Sequence, residues 1–130
     1  NYDRSQHARQ SALSDDGGIT WKDQKHESTL IEPICQAAIL RHRWPQEGKP
    51  GMMVFSNPAS TSGRVRLTVR ASFDDGVTWP VSKLLFDGPG GYSDLATLAD
   101  GRIACFYEGG EQNTAESIVF QIVESLETHP

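Results

Sequence analysis

The sequence predicts an all-β protein: a β-propeller segment of about two to two and a half four-stranded antiparallel blades. Three observations carry this expectation. An eight-residue pattern, S-x-D-x-G-x-T-W, occurs twice, at residues 14–21 and 72–79. It aligns Ser14 with Ser72, Asp16 with Asp74, Gly18 with Gly76, Thr20 with Thr78 and Trp21 with Trp79. The copies lie 58 residues apart, near the repeat length of propeller blades (about 40–50 residues). Finally, Arg64 to Ala71 alternates strictly, with Val65, Leu67, Val69 and Ala71 on one face and Arg64, Arg66, Thr68 and Arg70 on the other, the period of a strand.

Within the repeat, Ser and Asp can hydrogen-bond their own turn, and Gly supplies a positive φ that other residues resist. Thr-Trp then opens the returning strand, where β-branched and aromatic residues suit a pleated surface. In chain order, residues 1–8 read as a loop, Gln10 to Leu13 as a strand into the first box, and Ile19 to Lys22 as the strand leaving it. Asp23 to Thr29 reads as a charged connection and Pro33 as punctuation. Residues 35–40 form an apolar, small-residue run suited to a crowded inner strand. A breaker-rich turn over residues 41–50 precedes a strand at Met52 to Phe55, and Asn57 to Gly63 reads as a loop. After the strand over 64–71 and the second box come a strand at Val81 to Phe86 and a turn at Asp87-Gly-Pro-Gly-Gly. Three strands follow, at Tyr92 to Leu98, Ile103 to Tyr107 and Ser117 to Val123.

This arrangement predicts one partial propeller domain over 1–130. Residues 1–30 give the outer half of a blade with the first box, 31–87 a complete blade with the second, and 88–130 a last blade lacking its fourth strand. Closed propellers need roughly four to eight blades. The expected partners are therefore the rest of a larger propeller or copies of the chain itself. The chain opens on Asn rather than Met, which fits a processed or excised piece.

A net charge of −5 argues against general attraction to nucleic acid or an anionic membrane. No apolar run reaches the length of a membrane span, and no leader stands at the start of this segment. The compartment stays open, secretion and the periplasm included. Cys35 and Cys105 stand far apart in the chain, with no C-x-x-C pattern, in apolar strands where a buried free thiol is the default. His7, His26, His42 and His129 show no ligand spacing. The Asp-Asp-Gly turns lack the later ligands of a calcium loop. No metal or cofactor is expected.

The two boxes resemble the Asp-box (BNR repeat) of sialidases, or neuraminidases, and related β-propellers. In that family the box is structural and lies away from the active centre. The resemblance runs from about Asn1 to Val123 and implies part of a six-bladed propeller, its C-terminal portion. Tyr92, in Gly-Gly-Tyr-Ser-Asp-Leu, matches the setting of the family's nucleophilic tyrosine. Arg64, upstream of it in an R-x-x-L-T-V-R-x-S context that leads into the second box, resembles the last triad arginine. Glu108, in Phe-Tyr-Glu-Gly-Gly, matches the glutamate that holds the first triad arginine. Gln36, in Pro-Ile-Cys-Gln-Ala, resembles a position near the sugar's side chains. Read without the family, these are a strand-opening tyrosine packed at a rim, a solvated arginine, a loop carboxylate and a strand-edge glutamine.

The chemistry fits those residue types. A sialic acid carries a carboxylate on its anomeric carbon, and a guanidinium fork grips carboxylates bidentately. A carboxylate nucleophile would be repelled by that group, whereas a neutral phenol would not, and a nearby base can activate it. Sialidases are the established tyrosine-nucleophile exception among glycosidases. The resemblance therefore implies an exo-α-sialidase that releases terminal sialic acid from glycoconjugates with retention. Its acid/base Asp, its Tyr-polarising Glu and two further arginines find no counterparts in the segment. Arg4 and Arg9 look like framing residues, and Arg66 departs from the usual Asn or Asp. The 130-residue chain is expected to be inactive alone. The alternative is a non-catalytic Asp-box segment acting as a glycan- or protein-binding module. The two readings differ in whether Arg64, Tyr92 and Glu108 converge.

Overall fold

A computed structural model describes residues 2–127; Asn1 and residues 128–130, including His129, lie outside the described residues. After a short 3-10 turn at Arg4–Gln6, eight strands follow: β1 (Ala8–Leu13), β2 (Lys22–Ile31), β3 (Ala38–Arg43), β4 (Met52–Pro58), β5 (Val65–Ser72), β6 (Val81–Thr97), β7 (Ile103–Gly109) and β8 (Ser117–Val123). β1 and β2 form a two-stranded sheet. β3 to β8 form a six-stranded antiparallel sheet in sequence order. The chain is a partial β-propeller.

Two expectations are corrected here. Asp23 to Thr29 is not a connection but the body of β2, paired with β1 through Arg9↔Glu27 and Gln10↔His26. Its charges hide the strand because most of β2 is solvated and only Leu30 is fully buried. Likewise, Asp87-Gly-Pro-Gly-Gly is not a turn but the middle of the 17-residue β6. There the strand changes neighbours, pairing with β5 as far as Pro89 and with β7 from Gly90 onward. Smaller shifts accompany these: β3 runs on to Arg43, into the expected turn, and β4 runs on through Asn57 and Pro58.

The exchange lets one ribbon cover itself. Val54, Leu67, Val69 and Ala71 from β4 and β5 pack against Leu95, Ile103, Cys105 and Tyr107 from β6 and β7. Of the residues expected on one face of β5, Leu67, Val69 and Ala71 have no exposed surface. The opposite face of β4 meets the β1–β2 side through Leu30, Phe55 and Trp79. A mainly apolar groove of about 810 Å³ lies between these layers, bordered by Leu13, Ala37, Ile39, Met53, Phe55 and Trp79.

Both boxes close in the same way. In the second, the Gly76 N–H donates to Ser72 Oγ (2.8 Å), and Asp74 accepts from the Thr78 N–H (2.8 Å) and the Thr78 hydroxyl (2.6 Å). In the first, the Gly18 N–H donates to Ser14 Oγ (2.8 Å), and Asp16 accepts the matching pair from Thr20 (2.9 and 2.6 Å). Gly18 and Gly76 stand at φ 91° and 88°, the left-handed region glycine tolerates. These bonds hold both carboxyls below the usual range, Asp16 at about 2, with the Thr hydroxyl the largest cause in each. The tryptophans differ. Trp79 is buried against Phe55, with ring centroids 5.8 Å apart, whereas Trp21 is 65% exposed on the two-stranded sheet.

Candidate active site

The strand ends opposite the second box carry the candidate residues. Arg64 immediately precedes β5, and the Gly90 N–H donates to its carbonyl (2.9 Å). Val65 pairs with Pro89, so the β5–β6 ladder brings Arg64 beside Tyr92 on the following strand. The Arg64 guanidinium carbon lies 5.3 Å from the Tyr92 ring centroid. That is within cation–π range and puts the positive charge next to the phenol.

Tyr92 leaves the sheet at a bulge. Gly90 pairs with Gly109 and Ser93 with Tyr107, so β6 carries one residue more than β7 over this interval. Bulges re-aim side chains, and the Tyr92 ring is half exposed. The N–H that the bulge removes from the ladder donates to Glu108 Oε2 (2.9 Å). Gly91 is required for this contact, because a Cβ at that position would collide with the Glu108 carboxylate. The other Glu108 oxygen makes no hydrogen bond among the described residues.

Arg64, Tyr92 and Gln36 share a cleft of about 390 Å³ with Tyr2, Arg9, Glu32, Ile34 and Cys35. Gln36, however, is turned onto the protein. It donates to the Ser93 carbonyl (2.9 Å) and accepts from the Ser93 N–H (3.0 Å).

One wall of the cleft was not legible in local sequence. Glu32 is buried, pairs with Arg9 (2.6 Å) and accepts from the Tyr2 hydroxyl (2.5 Å). Burial, then the Glu32 hydrogen bond and charge, push the Tyr2 phenol up to about 12. Arg9 also donates to the Cys35 carbonyl (2.5 Å), so it braces the crossover between β2 and β3. Ile34, in that crossover, adopts φ 63°, a costly conformation for a β-branched residue. A Glu-Pro pair before an apolar run gives no sign of a buried ion pair whose partner, Arg9, lies on a different strand. Arg66 turns to Asp87 (2.8 Å) and does not line the cleft. Cys35 and Cys105 are both free and buried, and burial pushes both thiols up, Cys105 to about 11.

The fold and this cleft define a class, a segment of an Asp-box β-propeller with an arginine–tyrosine pair at one end of its strands. Among curated relatives, a sialidase of Micromonospora viridifaciens is 38% identical over 106 residues, covering 78% of this chain and 16% of its own length. A sialidase of Bacteroides fragilis is 34% identical over 125 residues, covering 90% and 22%. Among solved structures, a Hadza microbial sialidase superposes with a TM-score of 0.68 at 36% identity, covering 85% of this chain and 22% of its own. No protein-family model matches. The chain belongs to the sialidase family, and it spans about a fifth of the length of these relatives. Among the described residues, no helix is long and apolar enough to cross a membrane.

Proposed function

We propose that this chain forms the nucleophile-bearing, C-terminal part of an exo-α-sialidase, a retaining glycoside hydrolase acting on sialylated glycans. Tyr92 Oη gives its proton to a base outside the segment and attacks the anomeric carbon as the glycosidic bond breaks. The leaving oxygen takes a proton from an acid outside the segment, and water then releases sialic acid from the tyrosyl intermediate. Arg64 pairs with the substrate carboxylate. Glu108 fixes the Tyr92 backbone with one oxygen and offers the other to an arginine outside the segment. The observation that carries this reading is the Arg64–Tyr92 approach of 5.3 Å in a shared cleft. A guanidinium there would ease the approach of a carboxylate-bearing sugar to a phenol.

Tyr92→Phe in the complete protein tests it. The variant keeps the ring and its packing but lacks the attacking oxygen, so turnover should fall on the order of 10³-fold. Near-normal release of sialic acid would discard the assignment and favour a glycan-binding module.

A further inference from the structure

We infer that Gln36 is a positioning residue for Tyr92: its side-chain amide takes the place of a strand neighbour for Ser93 and fixes the direction in which Tyr92 leaves the β6 bulge. The inference rests on Tyr92 being the nucleophile.

From Gly90 onward β6 pairs with β7 on one side, and β5 has already ended its pairing at Pro89. Among the described residues, the Ser93 N–H and carbonyl therefore face an edge with no paired strand. Gln36 meets both, donating from Nε2 to the carbonyl (2.9 Å) and accepting at Oε1 from the N–H (3.0 Å). This two-way pairing is what a strand backbone would supply. The second Nε2 hydrogen goes to the Ala37 carbonyl (3.0 Å). A glutamine amide has two donors, and both are used within the protein. Neither donor remains for a hydroxyl or acyl oxygen of a sugar, and only the second Oε1 lone pair is left to accept.

Both ends of the clamp are anchored. Ser93 Oγ lies 2.7 Å from Ser56 Oγ, both residues being buried. The crossover bearing Gln36 is held by Arg9 on the Cys35 carbonyl, by the Glu32 N–H on the His7 carbonyl (2.9 Å) and by Asn57 on the Ile31 carbonyl (2.9 Å). Tyr92 thus sits between two fixed amides, its own on Glu108 and that of Ser93 on Gln36. Misplacing a reacting group by about 1 Å can cost about 10²-fold in rate.

The test compares Gln36→Met, Gln36→Glu and Tyr92→Phe in the complete protein, using a sialoside with a chromogenic leaving group. Gln36→Met keeps length and removes both bonds; kcat should fall about tenfold or more, with KM within about twofold. Gln36→Glu keeps the acceptor and regains a donor only when protonated, near the ordinary carboxyl pKa of about 4.3. Its kcat relative to wild type should therefore recover as pH falls through that range, which a purely structural defect would not reproduce. A Gln36→Met enzyme with unchanged kcat and raised KM overturns the clamp and makes Gln36 a sugar contact. Should Gln36→Met not fold, a pH-independent kcat ratio for Gln36→Glu overturns it equally. Tyr92→Phe separates the two claims: full turnover there removes the nucleophile reading itself, whereas an inactive Tyr92→Phe with a normal Gln36→Met removes only the clamp.

Discussion

Arg64, just ahead of β5, and Tyr92, on β6, meet with guanidinium carbon and ring centroid 5.3 Å apart because β5 and β6 pair Val65 with Pro89. Sheet register, rather than loop flexibility, sets this approach. The Arg64 carbonyl is itself held by the Gly90 N–H. Changes at Arg64 should therefore act on substrate binding and leave the fold largely intact.

Arg64→Ala in the complete protein should weaken binding of a sialic acid by about 10–100-fold, the range of one charge-assisted pair. Arg64→Lys should recover only part of this, since an ammonium cannot form the bidentate fork. Steady-state kinetics and inhibition by free sialic acid measure it; unchanged affinity in Arg64→Ala would remove Arg64 from the site.

The two boxes give a paired stability test. Asp74→Ala loses the bonds from Thr78 next to a buried tryptophan, whereas Asp16→Ala does so on a two-stranded sheet whose Trp21 is exposed. Asp74→Ala should lower Tm on the order of 5 °C and Asp16→Ala by less. Equal losses would show that the boxes do not differ through their tryptophan packing.

Acid should act through the same carboxyls. Both have folded pKa values below the ordinary aspartate range, Asp16 at about 2. Their contribution is full above about pH 4, and it fades as pH falls through the folded values, because the unfolded chain binds protons first. Unfolding followed from about pH 6 to about pH 2 should show falling stability, and the fall should be shallower in Asp16→Asn and Asp74→Asn. An acid limb unaltered by both substitutions would exclude the boxes as its source.

Glu32 should be among the most sensitive positions. It is buried between Arg9 and Tyr2, but the Arg9 side chain keeps 29% of its surface exposed, so the loss should fall below the roughly 3–5 kcal/mol of a fully buried ion pair. Glu32→Ala should destabilise the protein by about 1–3 kcal/mol, measured by denaturant unfolding. Tyr2→Phe should remove one late-titrating phenol from the ultraviolet alkaline titration, because Tyr2 is pushed up to about 12.

Sequence was informative where structure is local. The boxes close within a single short turn, so Ser14, Asp16, Ser72 and Asp74 announce their turns, and the alternation of Leu67, Val69 and Ala71 announces a strand, although Thr68 and Ser72 on its other face are buried as well. Non-local geometry was hidden. The solvated face of β2 made a strand read as a charged connection. Gly88, Pro89, Gly90 and Gly91 suggested a turn, yet none of these glycines has positive φ, and Gly91 is small to admit Glu108. The different burial of Trp21 and Trp79 depends on the neighbouring strands, which the shared motif does not encode. The Gln36 amide closes on a backbone 57 residues away, and no spacing rule predicts that.

The nucleophilic role of Tyr92 is the assignment on which the other roles in the cleft depend. It is tested most directly by incubating the complete protein with a fluorinated sialic acid that forms a slowly hydrolysed glycosyl-enzyme, then mapping the adduct by peptide mass spectrometry. One sialyl adduct is expected, on Tyr92, absent from Tyr92→Phe and slower to form in Arg64→Ala. An adduct on another residue, or its persistence in Tyr92→Phe, would contradict it.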